Sequence, residues 1–106
     1  MQAQYTPLQK VREAVSRLPS DKSILIMLST KDCSECRKQH NEILKFKFYD
    51  PALKHFTVDA YEWNQTFPAY QVQRVPVLYV ANSSTGLTVL GDGLVPMQEL
   101  REKFGI

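Results

Sequence analysis

Five consecutive apolar residues, ILIML at positions 24–28, constrain this chain more than any other feature. The run is too short for a typical helix and has polar residues on both sides. A strand that alternates its side chains between two faces can carry such a run only if both faces are covered, as in a largely parallel sheet packed between helices. The flanking pattern supplies those helices. Thr6 reads as an N-cap with Pro7 at the first helical position, and Leu8, Val11, Val15 and Leu18 follow at helical spacing up to Pro19. Cys36, His40, Ile43 and Leu44 recur at the same spacing, which predicts a second helix from about Cys33 to about Phe46. Residues 55–59 read as a strand, 62–71 as a short helix interrupted at Pro68, and 77–80 as a strand entered through Val75-Pro76. Turn chemistry at 82–86 then closes a hairpin with 87–90. Pro96 opens a last helix with Met97, Leu100 and Phe104 inward. The order αβαβαββα implies a right-handed parallel crossover between the first two strands and an antiparallel pair at the end. The expected fold is α/β, with a mixed four-stranded sheet flanked by helices on both faces. At 106 residues and 43% apolar content, one domain spanning 1–106 is expected.

The strand runs into the heptapeptide KDCSECR, residues 31–37, which holds both cysteines of the chain. Two cysteines cannot scaffold a small secreted fold, and a bond between near neighbours closes too small a loop to stabilise it much. Their value is therefore chemical. At the start of a helix, Cys33 lies near unsatisfied backbone N–H groups and the positive end of the helix dipole, both of which favour the nucleophilic thiolate. Cys36, one turn deeper, is placed to attack a mixed disulfide formed on Cys33 and release the reduced substrate. Cys33 and Cys36 are thus the candidate catalytic pair. Lys31 and Arg37 favour the thiolate and Asp32 and Glu35 oppose it, and the acidic pair is expected to raise the Cys33 pKa and make the couple more reducing. A second reading of the motif is metal binding, because His40 extends it to C-x2-C-x3-H. Zinc calls for four ligands, however, and the only other histidine is His55 on the next strand. No metal is expected, and His40 is expected on the exposed side of its helix.

A formal net charge of +2, from 13 basic and 11 acidic residues, argues against nucleic-acid binding. The cationic stretch 37–47 also carries Glu42 and reads as the solvated side of a helix. No apolar run approaches the roughly 20 residues needed to span a bilayer, so no membrane insertion is expected. The first residues show no basic region followed by an apolar one. The expectation is a cytoplasmic protein, with a periplasmic one lacking its leader as the alternative.

At this point the sequence resembles the thioredoxin family, from Leu8 to Phe104. Three stretches carry the resemblance: ILIMLSTKDCSEC, FPAYQVQRVPVLYV, and Gly91 between the hairpin and the last helix. The resemblance implies a cis Val75-Pro76 peptide beside the dithiol, with Val75, Pro76 and Gly91 framing the groove where an extended substrate segment pairs with backbone. It also implies thiol-disulfide oxidoreductase activity on protein disulfides with no bound cofactor. The pair would be recycled by a flavin-dependent reductase or a membrane electron donor, and the protein would be a monomer. Several positions depart from the family pattern. Asp32 stands where a tryptophan is usual, Ser34-Glu35 where Gly-Pro is usual, and Asn41 where a proline kinks the helix. Met27 stands where a buried acid is usual, and His55 where a lysine often pairs with it. Loss of the acid leaves water, Glu35 or His55 to take the proton of Cys36. The N-terminal strand of the family is expected to be absent. KFKFYDPALKHF, residues 45–56, is more similar to small thioredoxin-related proteins of the bacterial envelope or of sulfur metabolism. The alternatives to an enzyme are a redox-inactive binding module, to which the changes at Asp32 and Met27 point, and a redox sensor whose disulfide state alters a partner contact.

Overall fold

The apolar run forms the middle of the central strand. In the computed structural model, which describes residues 5–84 and 86–106, the chain runs α1 (Leu8–Ser16), β1 (Ser23–Ser29), α2 (Ser34–Phe46), β2 (Lys54–Asp59) and α3 (Ala60–Thr66). A 3-10 turn (Pro68–Tyr70), β3 (Val77–Asn82), β4 (Gly86–Asp92) and α4 (Met97–Phe104) follow. The strands lie in the order β2-β1-β3-β4. β1 pairs parallel with β2, Leu28 opposite Val58, and antiparallel with β3, Leu28 opposite Val77. All five residues of the run are buried. Ile24, Ile26 and Leu28 face one layer with Leu8 and Val11 of α1 and Trp63 of α3. Leu25 and Met27 face the other, with Ile43 and Phe46 of α2 and Leu100 of α4. Two apolar clusters on opposite faces of one strand are what an unbroken apolar run requires.

The element order is the expected one, and the differences lie at the ends. α1 begins at Leu8 with Pro7, not Thr6, as its N-cap. Thr6 is tied to the sheet instead, its N–H donating to the Thr57 carbonyl of β2 (2.8 Å). The missing side-chain cap is supplied from α3, where Glu62 Oε1 accepts the Leu8 N–H at 2.7 Å. α1 ends at Ser16, before the expected stop at Pro19, because the N–H groups of Arg17 and Leu18 reach back three residues and tighten the last turn. α3 starts at Ala60 instead of Glu62, since Asp59 Oδ1 accepts the Tyr61 N–H and caps it (3.1 Å). The hairpin strands are longer than expected and carry a bulge: Leu78 pairs with Gly91 and Tyr79 with Val89, leaving Leu90 as the extra residue. Thr85 of the expected turn lies outside the described residues, as do residues 1–4.

Candidate active site

Strand β1 delivers the cysteines to one end of the sheet. After Ser29 the chain turns through Asp32, whose backbone is left-handed (φ 57°), a conformation that most residues with a Cβ avoid and that Asp and Asn tolerate best. Cys33 is extended (φ −100°, ψ 101°) and is the N-cap of α2. Its Sγ accepts the Cys36 N–H at 3.0 Å, the bond that a Ser or Asp oxygen would make in this position. The two sulfurs are bonded to each other across a Cα–Cα distance of 5.2 Å. Cys33 is half-buried, whereas Cys36 is only 3% exposed. One sulfur can therefore meet a large partner and the other cannot.

The four charged residues taken as modulators are all exposed: Lys31, Asp32, Glu35 and Arg37. Glu35 lies in the first turn of α2 and its carboxylate is 3.4 Å from Lys38 Nζ, so its charge is partly matched within its own helix. Asp32 has a conformational role that its charge alone does not reveal.

The same end of the sheet receives the other candidate groove residues. Val77 pairs with Leu28 near the end of β1, so Val75 and Pro76 lie just beyond that end, beside the start of the cysteine loop. The Val75-Pro76 peptide is cis. Pro76 is buried, Val75 half-buried, and the Pro76 carbonyl accepts the Gly93 N–H (3.0 Å). Gly91 sits one register step inside, opposite Leu78. A Cβ there would collide with Val95 Cγ2, so Gly91 is required by the packing of the segment that leads into α4.

Several residues that hold this site carry no sequence motif. Gln39 is fully buried and grips the Val95 backbone twice: Nε2 donates to the carbonyl (3.0 Å) and Oε1 accepts the N–H (2.6 Å). Glu42 Oε1 accepts the Met97 N–H at the start of α4 (2.9 Å) while Oε2 meets Lys45 Nζ (2.9 Å). The backbone bond to Met97 and then Lys45 hold the Glu42 carboxyl below its ordinary pKa. The loop before the cis peptide is pinned from α3. Trp63 Nε1 donates to the Tyr70 carbonyl (2.9 Å), and the Asn64 amide both donates to the Val72 carbonyl (3.0 Å) and accepts the Val72 N–H (2.8 Å). The helical spacing that marked Cys36 and Ile43 as inward also brackets Gln39, the one signal that could have found it.

His40 is the clearest correction. It is half-buried, not exposed, and its ring lies against that of His55, centroids 5.5 Å apart and planes tilted by 56°. The reason is register: His55 is paired with Leu25, so both project to the α2 face of the sheet. Burial, then Lys47, then His40 push the His55 pKa below its ordinary value. Among the described residues, no group of three His, Cys, Asp or Glu side chains is arranged to hold a metal ion, and no helix is long and apolar enough to cross a membrane.

No protein-family model matches the sequence, and no curated protein matches it either. Solved structures do. Chloroplastic thioredoxin z superposes with a TM-score of 0.76 at 16% identity, over 99% of this chain and 93% of that one. Fasciola hepatica thioredoxin gives 0.73 at 14% identity, over 92% and 91%. Thioredoxin from Trypanosoma brucei brucei gives 0.62 at 19% identity, over 97% and 89%.

Proposed function

We propose that this chain, which has the thioredoxin fold with a bonded cysteine pair at the N-terminus of its second helix, is a thiol-disulfide oxidoreductase that reduces or exchanges disulfides in partner proteins. The observation that carries this reading is the asymmetry of the pair. Cys33 is accessible and receives a backbone N–H on its sulfur, and Cys36 is buried beside it. That N–H and the helix terminus stabilise Cys33 as a thiolate. The thiolate attacks one sulfur of a substrate disulfide and displaces the other as a thiolate, which takes a proton from solvent, leaving Cys33 joined to the substrate. Cys36 then loses its proton and attacks Cys33 Sγ. The mixed disulfide breaks, the intramolecular one forms, and two electrons have passed to the substrate. Val75, Pro76 and Gly91 border the approach to Cys33, where an extended segment of the substrate would lie. No bound cofactor takes part in these steps.

Reduction of insulin by dithiothreitol tests the proposal. The protein should accelerate it, Cys33→Ser should abolish the effect, and Cys36→Ser should accumulate a mixed disulfide with insulin. Equal rates with and without protein would leave a thioredoxin fold that only binds partners, for which the altered positions Asp32 and Met27 speak. The reduction potential then assigns the direction. A value near about −270 mV marks a reductant fed by a cytoplasmic reductase or a membrane donor, and one near about −120 mV a disulfide donor.

A further inference from the structure

The dithiol steps above leave one proton without a destination inside the protein. Cys36 is buried on α2, and the β1 residues that face the layer beneath α2 are Leu25 and Met27, neither of which can take a proton. Two histidines lie in the layer beneath α2, one on that helix and one on the strand facing it, whereas Glu35 is exposed and meets Lys38. His40 lies four residues after Cys36 on α2, hence on the same face one turn on. Side chains in a helix lean toward its N-terminus, which carries the His40 imidazole toward the Cys36 turn. Behind it stands His55, whose Nδ1 is buried and has no hydrogen-bond partner among the described residues. A buried ring nitrogen with no partner is costly to keep, and such groups call for an explanation.

We infer that His40, positioned by His55, is the internal proton acceptor for Cys36 in the resolving step. This rests on the dithiol reading above. The Cys36 S–H gives its proton to the neutral His40 imidazole. The thiolate attacks Cys33 Sγ, the Cys33–substrate bond breaks, and the substrate leaves as a thiolate. The imidazolium proton then passes to solvent or to the departing sulfur. Burial favours the neutral form of the His55 ring that stands behind His40. Lys47 just after α2 and His40 within it are the charges that act on His55, Arg37 lies one turn before His40, and Leu25 and Met27 of β1 add none. Glu42 is committed to Met97 and Lys45. His55 acts through His40 as a positioning residue.

The test separates the two chemical steps. Reduced protein is mixed with the aromatic disulfide dithiobis(nitrobenzoate), and thionitrobenzoate release is followed by stopped flow across about pH 6 to 9, a range that spans free imidazole and thiol pKa values. The first equivalent reports attack by Cys33 and the second reports resolution by Cys36. His40→Gln should slow the second phase by roughly a hundredfold or more at neutral pH, in keeping with general-base contributions. The deficit should vanish at high pH, where Cys36 ionises unaided. His55→Gln should show a smaller deficit with the same pH dependence. The inference is overturned if the second phase is unchanged in His40→Gln, or if its deficit is the same at every pH. A wild-type protein that releases no second equivalent would sink the dithiol reading and this inference together, whereas a normal wild-type second phase with unaffected variants sinks this inference alone. Should His40→Gln fold poorly, the same pH profile on His40→Asn and His55→Gln decides.

Discussion

Gln39→Met isolates the strongest polar tie between the active-site helix and the last quarter of the chain. Gln39 is fully buried and holds both backbone groups of Val95, itself buried. Methionine matches the side chain in length and volume, so no cavity opens and the loss is polar. The Val95 N–H and carbonyl are each left buried without a partner, at about 1–3 kcal/mol apiece. Methionine regains apolar burial that the amide forgoes, which offsets part of the sum. We expect a net loss of about 2–4 kcal/mol, a large share of the roughly 5–15 kcal/mol that domains possess. For a domain near 100 residues, even about 2 kcal/mol lowers Tm by about 8–16 °C. Urea denaturation should show the midpoint falling with an unchanged m-value. Gln39→Glu supplies a control with a sign. An ionised carboxylate can accept the N–H but repels the carbonyl, so the folded state favours the protonated acid and raises its pKa. The variant is then least impaired below about pH 4.3 and loses stability as pH rises above it. A Gln39→Met loss below about 0.5 kcal/mol, at constant m, would refute the assignment and mean that the Val95 backbone finds other partners.

Asp32 occupies a left-handed backbone position, so Asp32→Gly should keep or raise stability and Asp32→Val should lose about 1–2 kcal/mol, both read by chemical denaturation. The His55 pKa is lowered by burial, so the unfolded chain binds the proton more readily. Stability should be full above about pH 6.5 and decline as pH falls below it, and His55→Phe should flatten that part of the curve. The Glu42 pKa is lowered too, by Met97 N–H and Lys45. Its contribution persists to lower pH and is lost only as pH falls below the ordinary carboxylate range, a second window that Glu42→Gln removes. Glu35→Gln should lower the Cys33 pKa in a thiolate absorbance titration, modestly because Lys38 already meets that carboxylate. An unchanged or raised value would discard the acidic pair as the cause of a reducing couple.

The parts of the fold legible in the sequence were those fixed by short-range rules. The ILIML run demanded two covered faces, the CxxC demanded a helix start, and Asn82 with Gly86 marked the hairpin. What escaped were partnerships between residues far apart in sequence. Leu8 is capped by Glu62, Val95 by Gln39, and Met97 by Glu42, at separations of 54, 56 and 55 residues. Nothing in local propensity distinguishes Glu42 as a cap for another helix from Glu42 as one charge among many on a solvated face. The misreading of His40 has the same origin. A histidine at an inward helical position looks like a stray polar residue until the strand register shows that a second imidazole faces it.

The same register gives the departures at Met27 and His55, and the half-burial of His40, a common logic. Met27 pairs with Thr57 and His55 with Leu25, so the positions where an acid and a lysine are usual in the family face the same layer beneath α2. An acid there carries a charge whose burial needs compensation, and a lysine can supply it. Methionine removes the negative charge, and a lysine left behind would be a buried cation with nothing to balance it. Histidine resolves that conflict, because its neutral form is accessible at physiological pH and burial moves it further in that direction. The site then exchanges a charged pair for two facing imidazoles, without losing a group able to accept a proton. Restoring only one member should therefore be worse than restoring both. Met27→Asp alone buries an acid among Leu25, Ile43 and Phe46, and His55→Lys alone places a half-buried cation facing His40. The double variant should recover stability beyond the sum of the single losses, and a double-mutant cycle with no coupling would show that the two positions do not share one electrostatic environment.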